Sequence, residues 1–507
     1  MQQYLKEIRS AFAQNAILNK KILWLAIILI GIALLKIFIL SRYDLHSEEA
    51  QYWLWSKRLQ LSYYSKPPLI AYLNWFSTSI LGDTVFAIRI NAVIFGIMLS
   101  VVSYLLAFEL FKNQSTAIFA AIVTNVFPLI LSNSIFFLTD APLLFFWLCC
   151  MLFYWKAAES QKPLWWILFG ISLGLGALSK YSIFLIFIPL VLFSLKYHPE
   201  IFKTKHFYIS ILIGLIFFSP VIYWNIGQKG IGFLHLFALT GINDHTNNLY
   251  QIISNILEYT IGQICILLPF YQYKAIYLKY RNGTLTKQME FLILPAISMF
   301  LVFLVISIIR RAGVYVNWTV FAYTGIPILF AHLAATEKKV KRNLRVSVAM
   351  GFVLLMFIGL TVPSNKALPL GGLNPLSKTI GWSQLAAKID SLKASMPDSS
   401  CYVFSTNYHI TSELWFYLKG QPETYLLNLN SRMTQFDLWI GTEQFRNTDK
   451  TAIYVNFEKI TPEIEQGFSA ILKEDSCAIY SQDKHIYTYH IYFLKGLKSF
   501  QKQYSSY

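Results

Sequence analysis

The sequence predicts an all-α polytopic membrane domain of about 11 to 13 transmembrane helices, followed by a small soluble α/β domain. Three observations lead there. The 507 residues are 55% apolar and only 14% charged, against about a quarter charged in soluble globular chains. Apolar runs of about 18 residues or more recur along most of the chain, and each is long enough to cross a bilayer. From residue 381 onward the character changes: charge and turn residues rise, and the long apolar runs stop.

Taken in order, the spans fall near 22–41, 85–111, 116–133, 137–155, 163–178, 181–196, 207–225, 255–273, 289–309, 314–335 and 343–362. The first run has no small-residue cleavage site and more spans follow it, so it reads as a retained anchor and not as a signal peptide. The formal charge of +17 would suit a nucleic-acid partner, but no basic stripe is interleaved with polar surface. Most Lys and Arg sit instead in short loops between apolar runs, where they set topology. With Lys6, Arg9, Lys20 and Lys21 cytoplasmic, 19 basic residues lie in the N-terminal segment and inner loops and 8 in the opposite loops. That bias favours this orientation. It sends three long segments outward: 42–84, 226–254 and everything after 363. The chain therefore divides into a membrane domain at 1–362, with juxtamembrane helices in 42–84, and a soluble domain at 363–507.

In the soluble part, 382–392 is helix-like, while 401–405, 452–457 and 486–493 are β-like. The Pro- and Gly-containing stretch 362–375 joins it to the last span. No internal repeat or low-complexity tract is present. Cys149 and Cys150 fall mid-span as packing residues. Cys401 and Cys477 share the outer domain, where a disulfide is open to them if the compartment is oxidising, although spacing fixes no geometry.

The first outer loop holds most of the chemistry. Ser47 can cap a helix whose first turn carries Glu48 and Glu49, with Trp53, Trp55 and Leu59 forming a stripe at the membrane interface. Carboxylates at a helix N-terminus are also favourable on dipole grounds alone. Lys66 precedes Pro67 and Pro68, which hold the chain extended; it either snorkels to the interface or meets an anion. Asp140, beside Pro142, stands at the outer end of the fourth span, where a helix cap would suffice to explain it. Lys180 occupies a very short loop on the side where positive charge is disfavoured, so a specific partner is expected. Arg310 and Arg311 close another span and suit either bidentate phosphate contact or lipid headgroups. His235, His245 and His409 are open as ligands or phosphate contacts, but no His/Cys spacing supports a metal site.

Two stretches carry a family resemblance: Glu48-Glu-Ala-Gln-Tyr-Trp-Leu-Trp-Ser and Tyr63-Tyr-Ser-Lys-Pro-Pro-Leu-Ile-Ala. They resemble the first outer loop of C-type glycosyltransferases, membrane enzymes that use polyprenyl-phosphate sugars. The nearest group is the dolichyl-phosphate-mannose–protein mannosyltransferase-like family, which includes the aminoarabinose lipid A transferases. Similar landmarks follow in order: Thr139-Asp-Ala-Pro-Leu-Leu-Phe-Phe-Trp, Gly174-Leu-Gly-Ala-Leu-Ser-Lys-Tyr, Ser219-Pro-Val-Ile-Tyr-Trp-Asn, Asn317-Trp, Gly381-Trp-Ser-Gln-Leu-Ala and Gln435-Phe-Asp-Leu-Trp. Each is weak alone; the ordered set spans nearly the whole chain. Two positions depart from the pattern. Glu48 stands where the family usually has Asp, and Ser65 stands where the aminoarabinose transferases have Glu.

The resemblance implies a C-type glycosyltransferase fold in the bacterial inner membrane, with its active site and soluble domain facing the periplasm. It implies inverting transfer of a sugar from undecaprenyl phosphate to lipid A or lipopolysaccharide core, with protein hydroxyls as the second acceptor class. A transporter of lipid-linked sugars is the rival reading. Transporters place ionisable groups at midspan and often show repeats, whereas here the charges cluster at outer span ends. By the same resemblance Glu48 is the base or acceptor-orienting carboxylate, Glu49 its substitute if the register differs, and Asp140 the second carboxylate. Lys66, Lys180, Arg310 and Arg311 are assigned to the donor phosphate, and Tyr63, Tyr64, Asn225, Asn317, Tyr408 and His409 to substrate binding. No metal ligands are assigned. Beyond the polyprenyl-phosphate sugar no cofactor is firmly implied, and a divalent metal is left open. Membrane lipids, the donor and an envelope acceptor are the expected partners, nucleic acid is not, and a monomer is expected.

Overall fold

A computed structural model describes residues 2–40, 42–241, 248–267, 272–361, 377–396, 400–429, 432–481, 484–498 and 500. The chain forms two compact units. One comprises Met1–Phe38, Ala92–Phe218 and Asp244–Met356; the other comprises Ile39–Asn91, Ser219–Asn243 and Phe357–Tyr507. The stretch 362–375, expected as a linker, lies outside the described residues.

The first unit is helical. Among the described residues, 6 helices are long and apolar enough to cross a membrane: Lys20–Leu40, Val85–Phe111, Asp140–Ser160, Lys205–Gly227, Lys287–Ile309 and Val316–Thr336. Asp140–Ser160 and Val316–Thr336 are mostly buried within the protein, at 78% and 83%, whereas Lys205–Gly227 is buried over only 28% of its span. That helix turns Leu212, Leu215 and Ile216 outward, which suits lipid and not water. Two of the other expected spans are interrupted. The expected span 116–133 breaks at Phe127: helix Gln114–Val126 stops, Phe127 is extended, and Pro128 opens a new helix to Asn133. The proline lacks an N–H and disfavours helical geometry in the residue before it, so the break falls there. The segment 181–196 begins with a 3-10 turn, Tyr181–Ile186, before the α-helix Phe187–Tyr197.

Helix Pro163–Ser179 meets helix Lys205–Gly227 through glycines. A Cβ on Gly170 would lie 2.4 Å from the Ser210 carbonyl oxygen, and one on Gly174 would lie 2.4 Å from the Phe217 Cβ. Small residues four apart let two membrane helices approach closely. The Gly174 landmark of the sequence is thus accounted for by packing.

In the second unit the soluble part builds a five-stranded sheet from β1 (Cys401–Ser405), β2 (Thr424–Leu426), β3 (Thr451–Asn456), β4 (Phe468–Ser481) and β5 (Lys484–Leu497), ordered β2-β1-β3-β5-β4. The β2, β1 and β3 strands are parallel, while β5 and β4 form an antiparallel hairpin. Successive residues of β3 face opposite ways, as the period of two requires. Ile453 and Val455 join Leu385, Ile389, Ile410 and Leu414 under helices Trp382–Ala394 and Tyr408–Tyr417. Ala452 and Tyr454 join Tyr402, Phe404 and Leu494 on the other face. Cys401 and Cys477 are not joined by a disulfide.

The helix expected in the first outer loop forms at Ser47–Ser56, with two corrections. Its N-cap is His46, not Ser47: the His46 ring accepts from the Glu48 amide, and Glu49 returns the bond to the His46 amide. Nor do Trp53 and Trp55 lie at a membrane interface, since both are fully buried. Trp53 packs edge-on against Phe416 of helix Tyr408–Tyr417, with ring centroids 4.9 Å apart, and Trp55 stacks on Tyr63 at 4.5 Å. Helix Tyr408–Tyr417 has taken the place the bilayer was expected to fill. Leu59, the third member of the stripe, is exposed.

Replacing Gly174 with Val forces a branched side chain into the Phe217 contact. The expected loss is about 1–3 kcal/mol, the usual cost of overpacking. Thermal unfolding in detergent measures it; an unchanged midpoint would remove the close approach as a constraint.

Candidate active site

At the start of helix Ser47–Ser56 one side chain organises everything nearby. Arg89 is completely buried and uses all of its donors. Its Nε and Nη2 reach the Glu49 carboxylate at 3.1 and 2.8 Å. Its Nη1 donates to the carbonyls of Leu40 and Tyr43 at 2.8 and 3.0 Å, and Nη2 also donates to that of Asp44 at 2.7 Å. Glu49, equally buried, divides its oxygens between Arg89 and the His46 amide. Glu49 is therefore an anchor of the loop, and its carboxylate has no geometry for a base.

Glu48, its neighbour, points differently. It is half-buried and accepts from the Tyr52 hydroxyl at 3.1 Å. Two histidines lie within reach of its charge, His46 and His409. Burial pushes the His409 imidazole down to about 4, and Lys378 and Arg432 add to the effect while Glu48 opposes it. His409 is therefore neutral at physiological pH, and its Nδ1 has no hydrogen-bond partner among the described residues. Tyr408 lies tilted against the ring, with centroids 4.0 Å apart.

A second buried imidazole, His235, stands behind Tyr64 with ring centroids 4.8 Å apart. Burial lowers it to about 3, helped by the charges of Arg432 and Lys66. Asn225 fixes its helix: the side-chain oxygen accepts from the Gly232 and Phe233 amides, which open helix Ile231–Ala238. Tyr63 is likewise structural, its hydroxyl donating to the Trp55 and Arg58 carbonyls. The second unit thus gathers Glu48, Lys66, Tyr64, Tyr408 and His409 with three residues to which the sequence gave no role: His46, Lys378 and Arg432. Asn225 and Tyr63 hold the frame.

The other expected residues belong to the first unit. Lys180 grips Asp140 with its ammonium 2.9 and 3.0 Å from the two carboxylate oxygens. The expected specific partner of Lys180 is therefore Asp140. Ser179 steadies the pair by donating to the Thr139 carbonyl at 2.8 Å. Asp140 is the first residue of its helix, and the cap position is Thr139. Arg310 turns inward: it donates to the Gly313 carbonyl at 2.7 Å and lies over Trp318. Arg311 and Asn317 are exposed. His245 lies outside the described residues. Among the described residues no three His, Cys, Asp or Glu side chains converge as a metal site would require.

Comparison with known proteins gives this arrangement a lineage. Residues 65–224 match the family model for dolichyl-phosphate-mannose-protein mannosyltransferase. The lipid A galacturonosyltransferase RgtD of Rhizobium johnstonii is 23% identical over 416 residues, covering 79% of this chain and 86% of that one. The chain is similar to this mannosyltransferase-like group over that stretch and to RgtD over most of its length. A likeness of fold extends along almost its full length. The crystal structures of ArnT from Cupriavidus metallidurans superimpose with a TM-score of 0.64 at 12% identity. The apo form covers 92% of this chain and 97% of ArnT; the form bound to undecaprenyl phosphate covers 94% and 99%. An undecaprenyl phosphate-alpha-4-amino-4-deoxy-L-arabinose arabinosyl transferase of Erwinia tasmaniensis is 32% identical, but over 134 residues, a quarter of this chain and 24% of that one.

Sequence reasoning also passed over two buried charges. Arg89 had a signal, an ionisable residue in the first turn of a long apolar span. Glu413 had none. It is fully buried in helix Tyr408–Tyr417, and neither oxygen has a hydrogen-bond partner among the described residues. Burial, with the nearby carboxylates of Asp44 and Glu49, pushes its carboxyl well above the ordinary range against the pull of Arg89.

Two stability measurements follow. Truncating Arg89 to Ala strands Glu49 and three carbonyls, and should cost roughly 3–5 kcal/mol, as for other buried pairs broken on one side; unfolding in detergent reads it, and a cost near zero would contradict the anchor. Glu413 holds its proton in the folded state to higher pH than in the unfolded chain. Stability linked to it is present below the ordinary carboxylate pKa and declines as pH rises toward the folded value. Glu413→Gln should therefore unfold at a higher temperature than the parent at pH 8 and lose that advantage at pH 4. Parallel pH profiles would refute the assignment.

Proposed function

We propose that this chain is an inverting glycosyltransferase that moves one sugar from undecaprenyl phosphate to lipid A or lipopolysaccharide core, at the periplasmic face of the inner membrane. The observation that carries the reading is that one half-buried carboxylate, Glu48, and the cations Lys378 and Arg432 all lie within electrostatic reach of neutral His409, as Arg432 and Lys66 do of His235. Transfer from a polyprenyl phosphate needs cations where negative charge develops on the leaving phosphate, and a carboxylate to orient or deprotonate the acceptor. The relatives agree: RgtD is named for lipid A, and one ArnT crystal form holds undecaprenyl phosphate.

In this reading Lys66 holds the donor phosphate. Glu48 faces the acceptor. A phosphate acceptor on lipid A is already largely ionised at neutral pH, so Glu48 there only orients it; a protein Ser or Thr would need Glu48 as a base. Asp140 is the second carboxylate of the reaction, with Lys180 as its ion-pair partner. Arg310 and Arg311 supply further positive charge at their span end. The membrane part occupies 1–362 with eleven spans, the domain at 363–507 lies in the periplasm, and one chain suffices for activity.

The test uses purified protein with a polyprenyl-phosphate sugar and lipid A, following released polyprenyl phosphate. Glu48→Gln and Asp140→Asn should each lower turnover by roughly 10²–10⁴-fold, the usual contribution of a positioned acid or base, with folding in detergent retained. Lys66→Ala should chiefly weaken use of the donor. Near-normal turnover in both carboxylate variants would discard the proposed site.

A further inference from the structure

The sheet of the C-terminal domain points to a role beyond scaffolding. The β1 and β2 strands are parallel neighbours, and in open α/β sheets ligands bind beyond the carboxyl ends of such strands. Here the segment after β1 is Thr406–Asn407, with Asn407 capping the helix that begins Tyr408-His409. The segment after β2 runs through Asn428 to Arg432 and Gln435. Both segments leave the same edge, and each delivers a residue to the candidate site.

The second segment is built around its own polar frame. Asn428, fully buried, donates to the Arg432 carbonyl at 3.2 Å and to the Asp437 carboxylate at 2.9 Å. Asp437 also receives the Thr434 amide at 2.7 Å and the Thr434 hydroxyl at 3.0 Å. Gln435 then ties this loop to the first outer loop, its side-chain oxygen accepting from the Tyr64 amide at 2.7 Å. Tyr64 in turn packs on His235 and stands two residues before Lys66. The Gln435-Phe-Asp-Leu-Trp landmark is thus a clasp that ties the loop of Arg432, an exposed guanidinium, to the first outer loop, within electrostatic reach of the His235 and His409 rings. Both rings feel its charge.

We propose that Arg432 is a phosphate-gripping residue of the transfer site, presented by the carboxyl edge of the parallel strands, so that the C-terminal domain takes part directly in substrate selection. This rests on the glycosyltransferase reading given above. A guanidinium matches a phosphate oxyanion with two parallel N–H donors, which an ammonium such as Lys66 cannot do. Two neutral imidazoles within reach of its charge, His235 and His409, leave the positive charge of the edge to Arg432, Lys66 and Lys378. The oxyanion is either the donor phosphate or a phosphate on the acceptor.

Steady-state kinetics of the full chain in detergent separate these sources. Arg432→Ala should raise KM for one substrate by roughly ten- to a hundredfold, the worth of a hydrogen bond to a charged group, with kcat nearly unchanged; Arg432→Lys should recover part of the loss. A shift confined to the donor assigns the grip to the donor phosphate, and one confined to lipid A assigns it to the acceptor. Unchanged KM for both overturns the proposal. Direct binding of undecaprenyl phosphate and of lipid A vesicles provides a readout that needs no turnover. If the parent binds but transfers nothing, the glycosyltransferase reading fails, while weaker binding by Arg432→Ala still supports the grip. Equal binding by parent and variant removes it. Because Arg432 is exposed, the variant's thermal unfolding should match the parent.

Discussion

A single guanidinium fixes the geometry of the first outer loop. Arg89 has five N–H donors, and each is taken: two by Glu49, and the others by the carbonyls of Leu40, Tyr43 and Asp44. Three carbonyls at the end of the preceding helical segment and one carboxylate at the start of the next helix are thereby held around one point. Burying such a charge is costly unless every donor is satisfied, so the loop can adopt few other paths. Glu48 inherits its position from this arrangement: it is the residue before the anchored Glu49, on a helix whose cap and first turn are already set. Lys cannot replace Arg89, because a point charge with three donors would leave carbonyls unmet.

Much of the architecture was legible in the sequence. The long apolar runs at 85–111, 207–225 and 289–309 match helices because nothing in them interrupts the pattern. The run at 116–133 does not, and Pro128 is the reason. The short strands at 401–405 and 452–457 were visible as β-branched and aromatic clusters, but β2 has only three residues and β4 carries a charged centre, so neither shows as an apolar run. For the site, the motifs singled out Glu48, Lys66, Asp140 and Lys180, but not the pairing of Lys180 with Asp140. Three things were not legible. Whether Glu48 or Glu49 faces inward depends on Arg89, forty residues away. The burial of Trp53 and Trp55 depends on a helix more than 350 residues later in the chain. The position of Arg432 depends on Gln435 meeting Tyr64. Local patterns carry no information about such distant pairings.

The chemistry follows from the contrast between the two sets of residues. In the second unit a carboxylate, several cations and neutral imidazoles share one region, which suits handling an anionic substrate in stages. The imidazoles matter for what they withhold: because burial keeps His235 and His409 uncharged, the positive charge felt by these rings comes from side chains such as Lys66, Lys378 and Arg432. In the first unit Asp140 and Lys180 neutralise each other at a helix start, an arrangement that stores a cation without leaving it unpaired near lipid.

The outer hairpin of the C-terminal sheet also has a consequence. At 14 residues, β4 is a long edge strand, and a strand of that length offers its open backbone to any neighbouring chain. Its outward residues include Lys473, Glu474 and Asp475, with Asp475 tied to Lys388. Any chain adding a strand there would have to desolvate those charges. A second chain approaching this edge therefore meets charge where a strand would have to pair.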